Sequence, residues 1–257
     1  MDRVNIDGLL FDNVSMGEAI SRTLNKIKNF EKPEFALVAN QDIINKKKGI
    51  PFFTDERLNR SFLTFADGYS IVVASKILKT PLKERVAGPD FMLKFIEETQ
   101  DSDISHFFLG STEKVLEKMI ANFKSGFSGI KIAGYYSPPF CKEFTDEENN
   151  KIINLINNSK CAILWVSFGC PKQELWIVSN IDKLRIPVSI GVGAAFDFHS
   201  GVVKRAPLFM QNIKLEWLYR FFQDPKRLWR RYFIGGLSFA KTVIKQRFSK
   251  KNNEKEV

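Results

Sequence analysis

Asp67-Gly68 follows a short apolar run, Phe62 to Ala66, and stands directly before a second apolar stretch beginning at Tyr69. A carboxylate placed there can serve as a general base or bind a ribose hydroxyl. It can equally form an Asx-turn that caps the next helix. Asn40, Gln41 and Asp42 end the run Phe35 to Ala39 in the same manner. Gly169-Cys170-Pro171-Lys172-Gln173-Glu174 sets a proline near a helix start with a lysine behind it. Exposed N–H groups at a helix N-terminus favour phosphate and Lys172 would add charge, although a plain helix start fits the same residues. Toward the C-terminus, Arg220 precedes an Asp224-Pro225 break, and Arg227 and Arg230 follow it three residues apart, on one helical face.

These residues need elements to position them. Ile6 to Phe11 is an apolar run, and Ser15 to Glu18 is a capping-box pattern that predicts a helix to about Phe30. Buried-strand candidates are Phe35–Ala39, Phe62–Ala66, His106–Leu109, Ile130–Tyr135, Cys161–Ser167 and Val188–Val192. Helical stretches follow Asp67-Gly68, Asp90 (read as an N-cap), Thr112 and Pro171. The alternation predicts a Rossmann-like α/β fold, with a mostly parallel sheet and helices on both faces. In such sheets ligands bind outside the carboxyl ends of the strands. That rule selects Asn40, Gln41, Asp67, Gly110, the 168–174 turn and Asp197.

Charge divides the chain. Residues 1–201 hold 25 Lys/Arg against 25 Asp/Glu, whereas residues 202–257 hold 14 against 4, so the whole net charge of +10 lies in the C-terminal arm. The expected division is a catalytic body over residues 1–201, able to fold by itself, and a basic amphipathic appendage over residues 202–257. Trp217, Tyr219, Phe221, Phe222, Trp229, Tyr232 and Phe233 alternate with the arm's cations. That composition suits insertion at an anionic membrane surface. It also suits stacking and phosphate contacts with nucleic acid, or a helical pair packed on the body with its charges solvated.

Other classes lose support. The three cysteines form no even disulfide set or zinc spacing, so a reduced, cytosolic compartment is expected. No signal-peptide pattern opens the chain, and no stretch of about 18 residues stays apolar. Neither a dinucleotide glycine fingerprint nor a P-loop occurs. Asp101-Ser102-Asp103 precedes a strand, at the sheet edge opposite the ligand crevice, and reads as a solvated turn. His106 and His199 stand isolated, which argues against a catalytic metal.

With these residues in hand the chain resembles the WecG/TagA/CpsF bacterial glycosyltransferases, glycosyltransferase family 26. The carriers are Val38 to Asp42, Ala66-Asp67-Gly68, Glu84-Arg85-Val86 with Gly88 and Asp90, and Phe168 to Glu174. Gly191 to Asp197, Lys204 to Pro207, Leu215 to Arg220, Asp224-Pro225 and Arg227 to Tyr232 complete the set. The resemblance implies inverting transfer of a sugar from a UDP-sugar to a lipid-pyrophosphate-linked saccharide, in the assembly of a cell-surface polysaccharide. It implies no metal and no cofactor beyond the donor, and a peripheral place on the cytoplasmic face of the membrane. By the same resemblance Asp67 is the base, Arg85 the substrate-pocket arginine, Gln173 a nucleotide contact and Asp197 the acidic residue of the nucleotide loop. Arg220, Arg227 and Arg230 match the appendage arginines. Asn40 is grouped with the catalytic residues, and Gln41 and Lys172 with the substrate-binding ones. Val38 stands where many members carry Thr, so the donor sugar is open. The expected partners exclude nucleic acid and leave the oligomeric state open, a homo-oligomer included. The rival from another class is a non-catalytic nucleic-acid-binding α/β protein that uses the basic arm.

Overall fold

In the computed structural model, which describes residues 3–253, the chain opens on an antiparallel hairpin of β1 (Arg3–Ile6) and β2 (Leu9–Asp12). The side chains of Arg227 and of residues 250–253 lie outside that description. The sequence reading took Ile6 to Phe11 as one run, but Asp7 and Gly8 divide it. Their φ values of 53° and 87° form the two-residue turn that fits the twist of a hairpin. Alternation then buries Val4, Ile6, Leu9 and Phe11 on one side.

The main sheet contains β3 (Glu34–Ala39), β4 (Leu63–Ala66), β5 (Ser105–Gly110), β6 (Lys131–Tyr136), β7 (Ile163–Ser167) and β8 (Val188–Gly191). All its pairings are parallel, and the spatial order is β4-β3-β8-β7-β5-β6. The predicted Rossmann-like α/β class is therefore what forms. Five strands are buried on both faces because helices cover both. Along β3, Ala36 and Val38 face a core with Phe65, Phe91, Phe95 and Trp165, while Leu37 and Ala39 face Ile43, Ile71 and Phe11.

Local chemistry accounts for several helix starts. Ser15 and Glu18 make the expected capping box for helix Met16–Lys28. Thr112 caps Glu113–Gly126 through the N–H of Val115. Asp90 departs from expectation: the N-cap is Ala87, three residues earlier, and helix Gly88–Thr99 has Pro89 in its first turn. Asp90 thus lies inside the helix and is free to pair elsewhere. Helix Asp146–Ser159 was not anticipated, because its asparagines mask a stripe of Ile152, Ile153 and Ile156. Its signal was Thr145 with Asp146, Glu147 and Glu148 in the first turn.

The arm is helical and packs on the body. It runs through Leu208–Asn212, Glu216–Gln223, Pro225–Trp229, a π-helical turn Arg230–Ile234, and Gly235–Asn253. Leu228 N–H bonds to the Asp224 carbonyl, so the Asp224-Pro225 break does start a helix. Phe239 and Val243 are buried in one core with Val4, Ile43 and Ile44. Gln246 is bonded to the hairpin at Asp7 N–H (2.9 Å) and the Asn5 carbonyl (2.9 Å). Removing the arm would uncover that apolar surface. No described helix is long and apolar enough to cross a membrane.

Candidate active site

The crevice forms where the strands end, and Asp67 is its centre. The backbone N–H of Asp67 bonds to the Ala39 carbonyl at 2.9 Å, continuing the β3–β4 ladder one residue beyond the strand. Asp67 does not cap the following helix; Gly68 is the N-cap of Tyr69–Ile77 and makes no side-chain bond. The carboxylate instead accepts from Gly88 N–H at 3.1 Å through Oδ1 and from Asn40 Nδ2 at 3.3 Å through Oδ2. The Asx-turn alternative is thereby excluded. Asn40 has two tasks, because its Oδ1 caps helix Gln41–Lys46 at Asp42 N–H, 2.9 Å away.

Arg85 reaches the same point from the loop before Gly88. Its Nε donates to the Asp67 carbonyl at 2.6 Å, and its guanidinium lies 4.9 Å from the centre of the Tyr69 ring. A terminal nitrogen donates to Glu216 Oε2 of the arm at 3.0 Å. Glu216 Oε1 accepts from Arg205 Nε at 3.0 Å, and the Arg205 fork closes bidentately on Asp90. Burial acts to raise the pKa of Glu216, yet Arg205 and Arg85 outweigh it and hold the acid below its ordinary range. Burial also opposes the charge on Arg85, which Asp67 and Glu216 restore. Two guanidinium groups and two carboxylates so form a neutral ladder from arm to base. Arg205 and Glu216 were quoted in the sequence only as motif residues, and Asp90 as a motif residue and a helix cap. A single glutamate among the arm's arginines was the available signal.

Two cavities meet at this ladder. The inner one, about 650 Å³, is lined by Val38, Asp67, Gln173, Gly191–Ala194, Glu174, Lys46, Arg220, Arg230 and Arg231, among others. The outer one, about 580 Å³, is lined by Gln41, Tyr69, Val73, Trp217, Tyr232, Phe233 and Leu237. Asn40, Asp67, Arg85, Glu216, Arg220 and Arg231 belong to both linings.

The cations of the inner cavity are unequal. Arg85 is neutralised by Glu216, and Arg231 and Lys46 share Asp42. Among the described residues no carboxylate pairs with Arg220 or Arg230; Arg220 lies over the Phe198 ring at 5.2 Å. Arg230 opens the π-helical turn, a local widening of the backbone ladder that is common at functional sites. The side chain of Arg227 lies outside the described residues.

Gln173 is buried and joins two strand-end loops. Its Oε1 accepts from Gly169 N–H and Gly193 N–H, each at 3.1 Å, and its Nε2 donates to Glu174 Oε1 at 2.8 Å. Glycine is needed at 191 for this, since a Cβ there would stand 2.9 Å from Gln173 Nε2. Gln41 bonds weakly to the Arg231 carbonyl, at 3.4 Å, on the outer side. Gly110, Lys172 and Asp197, all selected from the sequence, lie outside both linings. Lys172 donates to the Cys141 carbonyl at 2.6 Å and sits over the Phe144 ring, so its ammonium is already engaged. Asp197, in the short helix Ala195–His199, accepts from Ser111 Oγ at 3.4 Å.

Both histidines are structural. His106 receives Trp165 Nε1–H at Nδ1 (3.1 Å) and meets Thr99 Oγ1, and burial pushes its pKa down to about 3. His199 Nε2 meets the Pro89 carbonyl. Asp103 pairs with Lys131 in solvent, as expected of a solvated turn. Among the described residues no three His, Cys, Asp or Glu side chains gather as a metal cluster, and the three cysteines are free thiols.

A protein from Staphylococcus aureus (strain MW2) is 28% identical over 249 residues, 95% of each chain. One from Bacillus spizizenii (strain ATCC 23059 / NRRL B-14472 / W23) is 32% identical over 200 residues, 78% of this chain and 75% of its own. Both are named N-acetylglucosaminyldiphosphoundecaprenol N-acetyl-beta-D-mannosaminyltransferase. The profile of the glycosyl transferase WecG/TagA/CpsF family matches residues 4–253, from the hairpin through the arm, and the chain belongs to that family.

Proposed function

We propose that the protein transfers a sugar from a UDP-sugar to a lipid-diphosphate-linked saccharide in cell-surface polysaccharide synthesis. The observation that carries this is the position of Asp67 on the wall common to a cation-lined cavity and an aromatic one. Two substrates that react must meet at one carboxylate, and these meet there. The relatives are named for a diphosphoundecaprenol-linked acceptor, whose chemistry matches the outer cavity.

In this reading the UDP-sugar enters the inner cavity with its diphosphate toward Arg220 and Arg230. The acceptor sugar enters from the outer cavity, and its isoprenoid passes along Trp217, Phe233 and Leu237, which line that cavity and are also exposed. The acceptor hydroxyl oxygen attacks the anomeric carbon as the bond to the UDP oxygen breaks, inverting the centre. Asp67 takes the hydroxyl proton, with its orientation held by Gly88 N–H and Asn40. Negative charge grows on the leaving UDP, so unpaired cations there favour the transition state over the ground state. The appendage thus completes the site and holds it at the membrane. Twelve of the twenty exposed large apolar side chains among the described residues lie between Val202 and Phe248, which suits an arm resting on lipid.

Val38 gives the inner cavity a methyl wall where many family members have a hydroxyl, so the donor sugar is a separate matter from the reaction. A panel of UDP-sugars, incubated with a short-chain lipid-diphosphate N-acetylglucosamine, identifies the donor by product mass. Asp67→Asn should retain UDP binding while transfer falls about 10²–10⁴-fold. Transfer at the wild-type rate by that variant rules out the base, and failure of every UDP-sugar rules out the donor class.

A further inference from the structure

Glu174 is the buried acid that the mechanism leaves unused. It lies in the first turn of helix Lys172–Asn180, is 4% exposed, and lines the inner cavity only. Oε1 is occupied by Gln173 Nε2–H. Oε2 is buried and has no hydrogen-bond partner among the described residues. A buried polar atom without a partner costs free energy unless something else satisfies it.

The groups around it define what that something can be. Helix Gln41–Lys46 brings Asp42 and Lys46, the π-helical turn brings Arg231, and the preceding loop brings Cys170. The Cys170 carbonyl is taken by Lys46 Nζ at 2.9 Å, and burial raises the Cys170 thiol so that it stays protonated. Burial likewise pushes Glu174 up to about 7, with its own N–H, Gln173 and Lys46 pulling the other way and Asp42 adding to the rise. Near neutral pH the acid form is therefore well populated, and Oε2 then carries a proton to donate. The cavity it lines holds the unpaired cations Arg220 and Arg230, where an oxyanion would collect.

We infer that Glu174, as the neutral acid, donates a hydrogen bond from Oε2 to a phosphoryl oxygen of the bound substrate. It is a binding group for a diphosphate in a cavity otherwise furnished with arginine. Resting on the proposed two-substrate reading, the inference holds for either diphosphate, that of the nucleotide donor or that of the lipid-linked acceptor. An ionised Glu174 would repel the same phosphate, so affinity falls as the acid titrates.

Titration calorimetry on the full chain tests this, with UDP in one arm and a short-chain isoprenyl diphosphate N-acetylglucosamine in the other, at pH 6.5 and 8.5. Glu174→Gln keeps a donor and has no proton to lose, so it records only the pH dependence of the ligand and the other groups. Beyond that baseline the wild type should lose about tenfold or more in affinity at pH 8.5. The arm in which the excess appears identifies which diphosphate Glu174 meets. Glu174→Leu should bind weakly at both pH values; Gln carries the comparison if Leu does not fold. Equal pH dependence of wild type and Glu174→Gln in both arms overturns the inference while leaving the donor reading intact. Absence of UDP binding to the wild type at either pH overturns the donor reading itself.

Discussion

The two cavities beside Asp67 share a wall and differ in how they are made. The inner cavity comes chiefly from strand ends and the loops after them, at Val38, Gly169, Gln173 and Gly191 to Ala194, with arm arginines turned in over them. The outer cavity is made from the starts of two body helices, through Gln41 and through Tyr69, Ser70 and Val73, and from the aromatic face of the arm. The first is stiffened by backbone-to-Gln173 bonds, and the second by ring contacts such as Trp217–Tyr232. A stiffened floor and unpaired guanidinium groups suit a small charged ligand. An aromatic face held from outside suits a long apolar one that arrives along a membrane. The difference shows that the arm has unequal shares in the two sites.

Exchanging a residue from each side should therefore give different kinetic signatures. On the proposed reading Arg220 faces the leaving diphosphate, so Arg220→Met should lower kcat by about 10²–10³-fold through loss of transition-state stabilisation. A full-rate Arg220→Met enzyme would move the diphosphate out of the inner cavity. Leu237→Asp should raise KM for a long-chain lipid acceptor by about tenfold and weaken sedimentation with anionic vesicles, with UDP affinity unchanged. Equal loss of UDP affinity in that variant would erase the distinction between the cavities.

A smaller effect reads the inner cavity alone. Burial raises the folded-state pKa of Glu174 from its ordinary 4.5 to about 7, so the folded state binds the extra proton. Its contribution is fully present below about pH 4.5 and is lost as pH rises through about 7. Glu174→Gln should then be more stable than wild type at pH 8 by up to roughly 3 kcal/mol, and no more stable at pH 4. Urea unfolding at the two pH values measures it, and a difference that does not change with pH would refute the buried-acid assignment.

Arg85 shows where reading residues singly reaches its limit. The family resemblance implied a pocket role for it, and the side chain does touch Asp67. Whether it is an unpaired cation depends on Glu216, 131 residues away in sequence, which neutralises it. Lys172 is the reverse case. Its place at a helix start suggested phosphate, but the loop at Cys141 and Phe144 folds back and takes the ammonium. Asp90 looked like a cap and became the anchor of Arg205.

The linear sequence was enough for the strand–turn–helix alternation, the residues at the strand ends, and the confinement of net charge to the arm. Each of these is set by neighbours within a few positions, through hydrophobic period, turn chemistry and simple counting. Only the tertiary structure decided that Asp67 binds Gly88 rather than its own helix, and which arginines remain unpaired. It alone showed that Glu174 is buried with one oxygen unsatisfied and that two cavities share one carboxylate. Those are properties of pairs brought together from distant parts of the chain. Burial and pairing then set the charge state, and with it the chemistry, of each group.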